Sequence, residues 1–225
     1  IEKFYQEGNP WTEAFIKLLQ EFFAESGILF LRASVARKSG AFAEVIKKEL
    51  SEIGFSHKII EKGNAKLLEN GYKLQARSFI LNLFYHQGDN RHKIKFNADL
   101  NTFQFDDNNI SLKELQELAE NNPENFSPSV LLRNICQDYI LPNVAYIGGP
   151  SELSYSAQLP ELYSAFQIDM PAFIPRHFAS FLNLNLLRKI EKYNLNPSFF
   201  MKNWTDVEKE IKQQFSNNQV ISELN

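Results

Sequence analysis

The chain holds one cysteine, Cys136, so no internal disulfide can close and no cysteine-based zinc cage can form. It has no run near the roughly 20 apolar residues that span a bilayer. The longest candidate, Gly27 to Leu31, has the length of a strand and is closed by Arg32. Its start shows no basic segment leading into an apolar segment and a small-residue cleavage site. Nor is there an excess of one charge: 24 Lys+Arg stand against 27 Asp+Glu, a formal net charge of -3, so no global field draws nucleic acid. These absences point to a cytoplasmic protein in a reducing compartment, with neither membrane nor nucleic acid as partner. What is present suits a folded domain: 225 residues, 44% hydrophobic and 23% charged, which excludes wholesale disorder. The sequence opens on Ile1 inside helix-like text, which reads as a piece of a longer chain.

Periodicity divides the chain into four parts. Residues 1–70 read as the first α/β part of the fold. Asn9 as N-cap and Pro10 at the first helical position start a helix running to Gly27, Ile28 to Leu31 form a buried strand, and helices follow over Ala43–Leu50 and Ile59–Leu68. Residues 71–125 read as an inserted β-rich segment: a strand over Phe79–Tyr85, a turn at Gly88-Asp89-Asn90, alternation from Arg91 to Phe96, and a strand near Asn101–Phe105. A helix then starts at Ser111 with Glu114 in capping-box register. Residues 126–183 read as a second α/β part, with a helix over Ser129–Tyr139, a strand over Val144–Ile147 and a helical stretch to Phe166 that Pro160 divides or kinks. A short strand at Phe173-Ile174 follows. Residues 184–225 read as a helical tail. The fold class is α/β: a partly parallel sheet flanked by helices, an antiparallel β insertion and a helical C-terminal tail.

The chemistry gathers around Tyr146-Ile147-Gly148-Gly149-Pro150-Ser151-Glu152. A strand ends in two glycines and a helix begins at once, which places unpaired N–H groups and a favourable dipole where an anion would sit. A plain tight strand-to-helix connection is the competing reading. Arg176 follows the next strand and suits bidentate carboxylate or phosphate recognition, with His177 beside it. Arg133, Gln137 and Asp138 share helical spacing on the segment feeding the glycine strand, as a polar edge of the same site or a wet helix face. There is no P-loop, no Gly-x-Ser-x-Gly elbow, and no metal-ligand spacing among His57, His86 and His92. Cys136 reads as a buried filler.

Leu132-Arg133, Gln137-Asp138, Leu141 to Pro150, Glu152, Tyr155, Gln158-Leu159, Met170-Pro171 and Pro175-Arg176, in this order and spacing, resemble the BshC family, the cysteine-adding enzymes of bacillithiol biosynthesis. Gly71-Tyr72, Gln75 and Asn82 to Tyr85 fit the segment before that block. The pattern departs at Asn134, where the family has Pro, at Ser151, where a third glycine is common, and at Ser156, where Trp is common. The resemblance implies a Rossmann-like core followed by a coiled coil that mediates homodimerisation. It implies condensation of L-cysteine with glucosaminyl-malate in the cytoplasm, with ATP as activator.

The expected substrate-binding residues are Arg133, Gln137, Gly148, Gly149, Glu152, Tyr155 and Arg176, with no metal and no assigned catalytic base. Two other readings stand beside the ligase: a degenerate, non-catalytic Rossmann-like module, and a nucleotidyl-transfer enzyme of related fold.

Overall fold

The computed structural model describes residues 1–216 apart from 89, 107, 180, 194 and 196. It divides into two units, Ile1–Arg176 and one from His177 onward. The first unit begins with α1 (Trp11–Phe22), α2 (Ala33–Lys38), α3 (Ala43–Glu49) and α4 (Phe55–Glu69). Pro10 itself occupies the N-cap of α1, and no side chain caps it. The helix stops at Phe22, short of the expected Gly27.

The buried strand expected over Ile28–Leu31 is not there. Leu29 is 93% exposed and Leu31 53%, and the segment runs as irregular chain into α2. A strand needs a ladder to satisfy its backbone polar groups, and no described strand lies alongside to supply one. An apolar run by itself does not make a strand.

Among the described residues eight strands follow in three small sheets. β1 (Leu83–Gln87) is central in an antiparallel sheet between β2 (Asn90–Lys93) and β6 (Phe126–Pro128). β3 (Lys95–Asn97), β4 (Thr102–Phe105) and β5 (Asn108–Ile110) form an antiparallel meander. The alternation over residues 91–96 is thus split at Ile94, which is 1% exposed and marks the point where the chain leaves one sheet for the other. The two sheets meet through aromatic rings, Tyr85 lying 4.6 Å from Phe105 between centroids. β6 belongs by pairing to the sheet of β1, although the sequence groups it with the later α/β part.

α5 (Leu112–Asn121) starts with the expected capping box: Glu114 N–H donates to Ser111 Oγ, and Glu114 Oε2 accepts from Ser111 N–H at 2.7 Å. α6 (Val130–Ile140) leads to β7 (Ala145–Gly148), then α7 (Pro150–Ser156), α8 (Pro160–Phe166) and β8 (Ala172–Pro175). Pro160 sits at the first position of α8, where its missing N–H costs nothing, so it divides the expected helix in two. β7 and β8 pair in parallel, in register from Ala145–Ala172 to Gly148–Pro175. This is the βαβ element of the fold, and α7 and α8 form its crossover.

One core joins these parts. Leu50, Ile60, Leu83, Phe103, Phe126, Leu131, Ile135 and Leu162 are each 1% exposed or less. Cys136 lies among them, its thiol pKa pushed up by burial and by nearby Glu49. A buried polar knot sits within this apolar mass. Glu49 Oε1 accepts from Ser56 Oγ at 2.8 Å and from Asn82 N–H at 2.9 Å, while Asn82 Nδ2 donates to Ser56 Oγ and Ser129 Oγ donates to Asn82 Oδ1. Asn82 also accepts from Phe79 N–H, which folds residues 79–82 into a turn and delays β1 to Leu83 instead of Phe79.

The second unit contains α9 (Leu184–Lys192), a 3-10 turn (Pro197–Met201) and α10 (Trp204–Ser216). Asn183 caps α9 by accepting from Leu186 N–H at 2.8 Å. The helical tail expected over residues 184–225 therefore appears as two helices, and its last nine residues lie outside the described ones.

Candidate functional site

The carboxyl end of the parallel pair is where an open α/β sheet places its ligands. β7 delivers Tyr146 and the two glycines there, β8 delivers Arg176, and α6 lays Arg133 across the gap. Strand alternation puts Tyr146 and Gly148 on one side of β7. A Cβ built on Gly148 would lie 3.0 Å from Tyr146 Cε1 and 3.2 Å from Glu152 Cβ. One built on Gly149 would lie 3.2 Å from Arg176 Nη2. Neither residue has positive φ, so the glycines are required by close approach of side chains and not by backbone conformation.

Those side chains form a continuous network. Arg133 Nη2 donates to the Tyr146 hydroxyl at 2.8 Å and to the Tyr155 hydroxyl at 3.1 Å. Tyr146 donates to Glu152 Oε1 at 2.6 Å, and Gly149 N–H donates to Glu152 Oε2 at 2.8 Å. Arg133 lies 3.7 Å from the same carboxylate. The Tyr146 hydrogen bond, then the Gly149 N–H, and more weakly Arg133 and Arg176, hold the Glu152 pKa below the usual carboxylate range. Burial, and then the Glu152 carboxylate, push Tyr146 up to about 12, so it remains a donor at neutral pH. Burial opposes the charge on Arg133, but the hydrogen bonds it donates to both tyrosine hydroxyls outweigh it and raise its pKa.

Sequence reasoning expected an open cradle at the Gly-Gly turn. The turn is instead filled by the protein's own anion, because Glu152 reaches back to Gly149 N–H. Glu stands three residues after the glycine, the spacing of a capping box, and that signal was legible.

Of the expected site residues, Arg133, Gly148, Gly149, Glu152, Tyr155 and Arg176 come together. Gln137 stands at the edge, its Oε1 3.5 Å from Arg133 Nη1. Asp138 turns the other way: it accepts from the Tyr163 hydroxyl and from Asn143 and ties α6 to α8. Ser156 is buried and donates to the Glu152 carbonyl at 2.7 Å, so it closes a helical turn and forms no wall of the site. Tyr146 was missed as a side chain, although its place two residues before Gly148 announces it. Among the described residues no cluster of His, Cys, Asp and Glu could hold a metal ion, and no helix is long and apolar enough to cross a membrane.

Comparison with known proteins gives a consistent result. The description of the bacillithiol biosynthesis BshC N-terminal Rossmann-like domain matches residues 1–177. A protein of Cytophaga hutchinsonii named "Putative cysteine ligase BshC" is 31% identical over 188 residues, covering 84% of this chain and 36% of that protein. The protein of the same name from Chlorobium phaeobacteroides is 35% identical over 196 residues, covering 85% and 34%. That from Staphylococcus aureus (strain MRSA252) is 28% identical over 199 residues, covering 86% and 36%. The matched region is about a third of the length of these relatives.

Proposed function

Since the chain belongs to the BshC family and carries its Rossmann-like domain, we propose that it contributes the substrate-binding face of a cysteine ligase that joins L-cysteine to glucosaminyl-malate. The observation that carries this reading is the polar cluster at the carboxyl end of β7 and β8. There, Arg133, Tyr146, Tyr155 and Glu152 are locked in one network beside the exposed Arg176. Arg176 receives a substrate carboxylate. Arg133 and Gln137 line the approach, and Glu152 and Tyr155 orient an amine or hydroxyl. Gly148 and Gly149 let those side chains close on the turn.

Amide formation requires an activated carboxylate, and ATP is the activator proposed for it. The Gly-Gly turn does not fit a nucleotide phosphate, because the Glu152 carboxylate holds Gly149 N–H and would repel one. Homodimerisation through a coiled coil beyond these residues, in the cytoplasm, belongs to the same proposal.

The filled turn favours a second reading, a Rossmann-like module that has kept the scaffold without turnover. Titration calorimetry with glucosaminyl-malate, L-cysteine and ATP in separate experiments decides between them. Binding of the sugar-malate supports the ligase, and binding of nucleotide alone points to nucleotidyl transfer. Absence of all three supports the module.

A further inference from the structure

A second concavity, of about 510 Å³, opens between α2, β1, β2, β6 and α6. Its size suits a small ligand. Its lining includes Arg37, Arg91, Arg133 and His86, and no aspartate or glutamate. In a chain whose acids outnumber its bases this is a local inversion of charge, and like charges held near one another raise the energy of the fold until an anion neutralises them.

The donors are held in place by the backbone. Arg37 donates to the Glu124 carbonyl, and Arg91 donates through Nη2 to the Pro128 carbonyl at 2.9 Å and through Nε to Ser127 Oγ at 3.1 Å. A guanidinium carries five N–H donors, so these bonds fix each head while leaving others for a ligand. No carboxylate pairs with Arg37 or Arg91 among the described ion pairs.

Ser127 Oγ takes the Arg91 N–H and lies 2.8 Å from His86 Nε2. Ser127 Oγ keeps a second lone pair and its own proton beside the bond from Arg91, so this contact is satisfied by either neutral tautomer of His86. Burial and then the charges of Arg37 and Arg91 lower the His86 pKa, which favours the neutral ring. An apolar wall is supplied by Leu31, Ala33, Phe42, Ile140 and Leu141 of the same lining.

We propose that this pocket binds a small molecule with an oxyanion head, carboxylate or phosphate, gripped by Arg37 and Arg91 and set against Ser127 and His86, with its uncharged body on the apolar wall. The pocket shares only Arg133 and Gln137 with the cluster at the Gly-Gly turn, and the inference holds whether or not that cluster belongs to a ligase.

The test follows the four histidines by NMR while inorganic phosphate or succinate is titrated in, with His86→Ala identifying its signal. Bound anion offsets the two guanidinium charges, so the His86 titration moves to higher pH with at least one of the probes. A response to phosphate alone names a phosphate head, to succinate alone a carboxylate, and to both an oxyanion in general. Arg37→Gln and Arg91→Gln, checked for folding by circular dichroism, each weaken binding by about tenfold, as expected for a lost charged hydrogen bond. An unmoved His86 titration with both probes overturns the proposal, and this measurement on the unaltered chain needs no variant to fold. Equal affinity in two folded arginine variants overturns it as well.

Discussion

The Tyr146 hydroxyl donates to Glu152 Oε1 at 2.6 Å, so a side chain from the first strand of the parallel pair holds the carboxylate that caps the next helix. The other carboxylate oxygen takes Gly149 N–H. Strand, turn and helix are thereby joined through a single residue, and this residue occupies the position in which a sequence reader would place a ligand.

Removing that residue should open the turn. Glu152→Ala loses two hydrogen bonds to a charged acceptor, only partly shielded from water, and is expected to destabilise the chain by about 1–2 kcal/mol. It should also create affinity for inorganic phosphate that the unaltered protein lacks at this position. Thermal melts of the variant and the unaltered chain with and without phosphate measure both effects, and a variant whose response to phosphate does not exceed that of the unaltered chain would show that the turn is no anion site even when vacant.

Arg176 is exposed and its side chain lies beside Gly149, so Arg176→Ala should leave the melting temperature within the small range of ordinary surface changes. If Arg176 grips a substrate carboxylate, calorimetry should show affinity for glucosaminyl-malate falling by about 1.5–3 kcal/mol. Unchanged affinity in a folded variant removes Arg176 from the site.

Burial pushes the Glu49 carboxyl from its ordinary 4.5 up to about 7, against hydrogen bonds from Asn82 and Ser56 that pull it down. The folded chain therefore holds this proton more tightly than the unfolded chain. The resulting stability is complete below pH 4.5, declines as pH rises through the interval to about 7, and is absent above it, a loss on the order of 3 kcal/mol. Glu49→Gln keeps an acceptor for both donors and cannot ionise. Urea unfolding across this interval should show a smaller decline for the variant and greater stability than the unaltered chain at pH 8, and parallel curves would contradict the assignment.

Gly148→Ala forces a methyl group against the Tyr146 ring and Glu152 Cβ. The ring is rigid and tied at its hydroxyl, so the methyl should cost about 1–3 kcal/mol. Gly149→Ala meets the mobile tip of Arg176 and should cost less. Equal melting temperatures for the two variants would argue against this packing account.

What the sequence made legible was local. The Ser111–Glu114 box, the division at Pro160, the βα passage from Tyr146 to Glu152 and the buried place of Cys136 each depend on neighbours a few residues away. Features set by distant partners were misread. Ile28–Leu31 has the composition of a strand but no described neighbour to pair with, and β1 begins late because Asn82 answers to Glu49, 33 residues earlier. The glycine turn was located correctly and its occupant was not, since a carboxylate at capping-box spacing serves a ligand's role from within. The arginine pocket draws on residues 37, 86, 91 and 127, which no spacing rule connects.

The crossing at Ile94 governs how this chain can change length. Side chains alternate with a period of two, so one residue inserted between β2 and β3 would turn Phe96 out to solvent and bring Lys95 in toward the buried rings. The hairpin tips at Gly88 and near Asp106 carry no such parity. Insertions and deletions accumulated over generations should therefore gather at those tips and spare the junction between Lys93 and Lys95.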